Sequence, residues 1–203
     1  MSNSVNDENL LADDSWGIPL MGVRLSESFE EILINNPDLR IEQNALGEVI
    51  IMSPTGGESG AKNLDIGSQL HRWTVAQGGQ AFDSSTMFRL PNGAKRSPDA
   101  SWISMDRWNA LSKEDRKNFP PLCPDFLIEL RSETDRLDEL HAKMSEYVSV
   151  GLRLGWLIDP LQKRVHIYRP DKQPEILLTP ETVSCEDVLP GFVLNLKAIW
   201  DEA

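Results

Sequence analysis

Cysteine, basic charge and long apolar runs are what this chain has least of. Its two cysteines, Cys123 and Cys185, stand far apart in 203 residues. Neither has a partner at metal-site or redox spacing, so they read as reduced thiols of a cytoplasmic protein. No apolar run approaches the roughly 20 residues of a membrane span, which excludes a membrane role of that kind. The opening MSNSVNDENLLADDSW has no basic region followed by an apolar one and does not read as a signal peptide. Lysine and arginine number 20 against 32 acids, a net charge of −12. That argues against a surface built as a generic DNA-binding stripe. Half of the deficit falls in residues 1–36, where seven acids face the single Arg24. An acidic leader of this kind leaves room for a neutral or basic cleft elsewhere.

What is present is a globular composition, 40% hydrophobic and 26% charged, in a length that buries a core without disulfides. Residues 1–22 read as a poorly ordered acidic leader and 23–203 as one domain. Ser26 to Asn35 reads as a short helix with Ser26 as its cap. Leu39–Gln43 and Glu48–Met52 read as a hairpin. Glu58–Gln77 is expected as a long helix with Leu64, Ile66, Leu70, Trp73 and Val75 inside, closed by Gly78-Gly79. Strands are expected at 80–83, 87–90 and 99–103, a helix at 105–118, and a strand at 125–130. The strongest helical periodicity runs over 134–150, through Leu137, Leu140, Met144, Tyr147 and Val148. Strands at 154–158 and 165–168 and a last strand with a docking helix follow. This order predicts a mixed α+β fold: a central mixed sheet flanked by helices, with an N-terminal hairpin extension.

The chemistry concentrates at PDFLIELR, residues 124–131. On a strand, Asp125, Leu127, Glu129 and Arg131 share one face. Asp125 and Glu129 are then about 13 Å apart along the strand, too far for one cation with oxygen ligands at about 2.0–2.6 Å. Asp99, in the earlier SPDASWIS, can partner Glu129 from a neighbouring strand about 4.8 Å away. With the Leu130 carbonyl as a third oxygen, this is a site of Mg²⁺ or Mn²⁺ type, completed by water and phosphate. Such chemistry also needs a cation near the attacked phosphate. Arg131 lies on the face of Glu129 and could neutralise phosphate charge, but not shuttle protons. Lys143 is the other candidate. The helix climbs about 13 Å from Thr134 and returns Lys143 to the level of Glu129.

With these residues in place, the chain resembles the Uma-two-like family, bacterial proteins classed with restriction-endonuclease-like nucleases of the PD-(D/E)xK superfamily. The resemblance runs from about Ser26 to the C-terminus, through RIEQNALGEVIIMSP, SPDASWIS, CPDFLIELRSETDRLDELHAKMSEYVSVGLRLGWLIDP, VHIYRP and LPGF. It implies a restriction-endonuclease-like fold and a Mg²⁺-dependent endonuclease acting on nucleic acid, DNA more than RNA. By position, Asp99 and Glu129 become the metal carboxylates, and Lys143 takes the place of the lysine missing two residues after Glu129. Glu42 matches a recurrent family acid that completes the cluster. Glu58 falls where other members of the superfamily place a helper acid. Asp125 matches a family aspartate but is assigned a structural role by its distance. Nucleases of this fold often pair to cut two strands, so a homodimer is compatible with the resemblance.

Other readings stay open at this level. One is a binding or regulatory module on the same fold with a decayed site, in keeping with the acidic total. Another is a two-carboxylate glycoside hydrolase. His71, His141 and His166 lack the spacing of a zinc pair, and the tryptophans read as core. Lys62, Arg72, Arg89, Lys95 and Arg96 are candidates to line a cleft beside Asp99.

Overall fold

The computed structural model of the protein describes residues 28–36, 38–185 and 187–201. The chain divides into two units, Met1–Pro37 and Asp38–Ala203. The acidic leader lies outside the described residues, as does Ser26. In the first unit, α1 (Phe29–Asn35) is capped by Ser28 rather than Ser26. The Ser28 hydroxyl accepts from the Glu31 N–H while the Glu31 carboxylate accepts from the Ser28 N–H, the reciprocal box that fixes a helix start.

The second unit holds a four-stranded and a six-stranded sheet and a small two-stranded ribbon. β1 (Ile41–Gln43) and β2 (Val49–Ile51) form the expected hairpin. Its turn is made by Asn44, whose side-chain oxygen accepts from the Leu46 and Glu48 N–H groups, with Gly47 at positive φ. The hairpin is not a free extension. β4 (Phe88–Arg89) and β5 (Lys95–Arg96) join it in the order β2-β1-β5-β4. The large sheet contains β3 (Gln80–Asp83), β6 (Ala100–Ile103), β7 (Phe126–Leu130), β8 (Leu154–Asp159), β9 (Arg164–Tyr168) and β10 (Glu175–Leu178). Its order is β10-β9-β8-β7-β6-β3. Only β7 and β8 run parallel, joined by the crossover helix α5 (Leu137–Ser149), so the sheet is mixed as expected.

Two apolar layers sandwich this sheet. On one face, Phe126, Ile128 and Trp156 pack with Ile66 and Leu70 of α2 (Gly57–Gln77). The same layer takes in residues from the ribbon β11 (Thr182–Ser184) and β12 (Val193–Asn195) and from the terminal α6 (Lys197–Trp200). On the other, Leu127 and Leu157 pack with Met144 and Tyr147 of α5. The alternation of β7 thus sends Phe126 and Ile128 one way and Leu127 the other. Gly79, at φ +88°, has no room for a side chain: a Cβ there would fall 2.2 Å from the Trp102 indole nitrogen.

Three expectations are corrected. Residues 105–118 are two short helices, α3 (Met105–Ala110) and α4 (Lys113–Lys117). The Ser112 hydroxyl accepts from the Asp115 N–H and starts a new helix instead of continuing the old one. Leu64 and Val75, placed inside α2, are exposed. α5 begins at Leu137 because Asp135 folds the preceding segment into a turn, accepting from the Ser132 N–H and hydroxyl.

Candidate active site

The sheet register brings the two acids together. Ala100 pairs with Ile128, so one step further along the antiparallel pair Asp99 stands across from Glu129. The Leu130 N–H donates to Asp99 Oδ2 over 2.8 Å, and the Asn63 amide of α2 donates to Oδ1 over 3.2 Å. Glu129 lies on the α5 face of β7 and is almost fully buried. Lys143 descends from α5 onto it, Nζ to Oε1 2.9 Å, and also reaches Glu42 Oε1 at 3.0 Å. One helical turn on, the Tyr147 hydroxyl donates to the same Glu129 oxygen over 3.0 Å. Asp99, Glu129, Lys143 and Glu42 therefore form one cluster, built from β1, β7, α5 and the residue preceding β6.

Glu42 is held more tightly than any other acid here. Besides Lys143, its oxygens accept from the Ser97 N–H at 2.8 Å and from Arg96 at 3.1 Å. Burial pushes its carboxyl upward, but Lys143, Ser97 and Arg96 together bring it below the ordinary value. Arg96 is itself pinned between Glu42 and Glu146, at 2.7 Å from the latter, and is 6% exposed. It braces the cluster and does not line a cleft. Of the other cleft candidates, Arg89 pairs with Asp115 and Lys95 donates to Gln43.

Arg131 goes elsewhere. Its guanidinium meets Asp159 at the end of β8, 2.9 Å away, and donates to the Asp135 carbonyl. Asp159 is fully buried, so this pair ties β7 to β8. Asp125 also has a structural post. It accepts from the Ser104 N–H and pairs with Arg107 and Arg153 at 2.9 and 3.6 Å. Glu58 is exposed in the first turn of α2, and it is Asn63, further along that helix, that touches Asp99.

The electrostatics of the cluster follow from its burial. Burial lifts the Glu129 carboxyl, and the charges of Asp99 and Glu42 lift it further against the pull of Lys143, to about 7. Burial raises Asp99 too, opposed by the Leu130 N–H, Lys143 and Arg40. Burial disfavours the Lys143 ammonium, but Glu129 and Glu42 outweigh it and hold the group above its ordinary value. Lys143 is thus a fixed cation and not a proton acceptor near neutral pH. Tyr147 is held far above the usual phenol value, by burial and then by Glu129 and Glu42, and stays a neutral donor.

Sequence reasoning missed Tyr147, Asn63 and Arg40. Tyr147 had a signal, its place four residues after Lys143 on one helix face, but its apolar ring reads as core. The histidine spacing also concealed a contact: α5 and β9 bring the His141 and His166 rings to 4.9 Å, and His141 is hydrogen-bonded to the Tyr168 hydroxyl. Among the described residues, no three His, Cys, Asp or Glu side chains converge as a metal cage. A cation at Asp99 and Glu129 would rest on two carboxylates, a backbone carbonyl and water. That donor set fits Mg²⁺, which keeps several waters. Glu129 Oε1 takes both Lys143 and Tyr147, and Oε2 has no hydrogen bond among the described residues. A depression of about 430 Å³ lined by Asp65, Gln69, Arg72, Asn195 and Lys197 shares no residue with the cluster.

Comparison with known proteins bears on the fold and the family. A solved structure with the same fold is described as "a putative nuclease belonging to DUF820" from Anabaena variabilis ATCC 29413. It is 21% identical, with a TM-score of 0.67 over 79% of this chain and 89% of that one. No curated protein matches the chain. The family model Uma2, described as "Putative restriction endonuclease", matches residues 26–197. That span takes in every residue of the cluster, and the chain belongs to the Uma2 family, with a restriction-endonuclease-like nuclease fold.

Proposed function

We propose that the protein is a divalent-metal-dependent endonuclease, hydrolysing phosphodiester bonds of nucleic acid, DNA in preference to RNA. The observation that carries this reading is the convergence of Asp99, Glu129 and Lys143. Asp99, half-buried just before β6, and Glu129, buried on β7, are both raised above their ordinary values, and the Lys143 ammonium lies 2.9 Å from Glu129. Asp99, Glu129 and the Leu130 carbonyl would hold Mg²⁺ or Mn²⁺. Bound there, such an ion supplies Lewis acidity to the phosphate and acidity to a ligated water.

The chain's own groups have separate tasks. Lys143, kept charged by Glu42 and Glu129, orients the attacking water and offsets negative charge developing on the phosphate. Its raised affinity for protons excludes it as the base. Glu42 positions Lys143. Tyr147 and Lys143 fix the Glu129 carboxylate through Oε1, which directs Oε2 outward as a ligand. Arg131, committed to Asp159, keeps the ends of β7 and β8 in register.

Supercoiled plasmid, single-stranded DNA and RNA incubated with the protein test this. Cleavage is expected with Mg²⁺ or Mn²⁺, none in EDTA, and at least a 100-fold loss in Asp99→Asn and Glu129→Gln. No cleavage of any substrate, or full activity in Glu129→Gln, overturns the reading. Inactive protein that still binds nucleic acid would point to a binding module on this fold, in line with the net charge of −12.

A further inference from the structure

The arginines around the cluster are mostly occupied. Arg96 is held by Glu42 and Glu146, Arg131 by Asp159, and Arg107 and Arg153 by Asp125. Arg40 is different. Its guanidinium donates to the Ser84 carbonyl over 2.7 Å, and among the described residues it meets no carboxylate within ion-pair distance. A guanidinium carries five donors, so four remain.

Its place is set by three strands. Arg40 precedes β1 by one residue and Glu42 by two, so it shares the face on which Glu42 reaches Lys143. Its carbonyl accepts from the Met52 N–H over 2.8 Å, which continues the hairpin ladder and fixes its backbone. Ser84 follows Asp83, the last residue of β3, which pairs with Ala100, the neighbour of Asp99. The Arg40 guanidinium, anchored at Ser84 just past the end of β3, is thus near enough to Asp99 for its charge to pull against the burial that raises that carboxyl. Arg40 is half-buried, which leaves part of it open to solvent.

We infer that Arg40 is the phosphate-binding cation of this site, gripping a backbone phosphate of the nucleic acid next to Asp99. The inference rests on the nuclease reading and gives the clamp role to Arg40 in place of Arg131. A planar fork with spare donors, anchored by a carbonyl and uncommitted to any acid, matches two phosphate oxygens at once. A lysine would offer only a point charge.

The salt dependence of binding to a labelled DNA duplex, measured in Ca²⁺ to slow cleavage, tests this. Each phosphate neutralised contributes about 0.9 to the slope of log K against log salt. Arg40→Gln is expected to bind more weakly with a slope shallower by about 0.9, and Arg40→Lys to restore the slope but not the full affinity. In wild type, DNA is expected to protect Arg40 from phenylglyoxal, read by mass spectrometry, which requires no folded variant. An unchanged slope in folded Arg40→Gln, or equal labelling of Arg40 with and without DNA, overturns the inference and leaves the nuclease reading intact. Wild-type protein that binds no DNA overturns both.

Discussion

Lys143→Met loses about 3 kcal/mol of stability at pH 8 and cuts nucleic acid at least 100-fold more slowly than wild type. The methionine keeps most of the volume but removes the ammonium lying 2.9 Å from Glu129 and 3.0 Å from Glu42. Glu42 retains Arg96 and the Ser97 N–H, so the loss falls on Glu129. A buried carboxylate without its cation takes up a proton rather than stay charged. The penalty is therefore small near pH 5 and grows as the pH rises. Urea denaturation at both pH values checks this. Adding Glu129→Gln to Lys143→Met should restore most of the stability, because the charge that needed Lys143 is gone. A Lys143→Met protein as stable as wild type at pH 8 would show that the ion pair is absent in solution.

Glu129 itself gives the second large effect. Burial, with Asp99 and Glu42, lifts its carboxyl from 4.5 to about 7. Between those values the folded protein keeps a proton that the unfolded chain has released, so stability falls as the pH rises across that window. The shift corresponds to about 3 kcal/mol. Wild type should lose that much relative to Glu129→Gln between pH 4.5 and 8, as read by urea denaturation. Mg²⁺ should return part of the loss to wild type and none to the variant, since a bound cation replaces the proton. For the same reason cleavage should rise with pH through about 7. A difference between the two proteins that does not change with pH would remove the electrostatic basis of the site.

The juxtaposition of Asp99 and Glu129 was legible because strand geometry is strict. Two residues four apart on one strand cannot share a cation, which leaves Asp99 rather than Asp125 as the neighbour of Glu129, and the β6–β7 register sets the two across from each other. Lys143 was legible by the same arithmetic applied to a helix. Glu42 came only with the family resemblance, since nothing local marks an acid that acts across 101 residues on Lys143. The pairing of Arg131 with Asp159 was not legible, because Asp159 ends a parallel strand 28 residues on, and parallel pairing leaves no local sequence signature. Arg40, Asn63 and Tyr147 escaped notice because each is ordinary in its own segment: a residue before a strand, a polar position on a helix, and an aromatic in an apolar stripe. The break between α3 and α4 was visible in Ser112 and Asp115, but helical periodicity runs across it. The ribbon and β10 were hidden by short strands with exposed faces.

The central claim is that Asp99 and Glu129 hold one divalent cation beside Lys143. Crystals soaked in Mn²⁺ and measured at its absorption edge test this most directly. One anomalous peak is expected within about 2.0–2.6 Å of an oxygen from each carboxylate, absent in Glu129→Gln. No peak between the two acids in wild-type crystals, with Glu129 still bound only to Lys143 and Tyr147, would contradict the account.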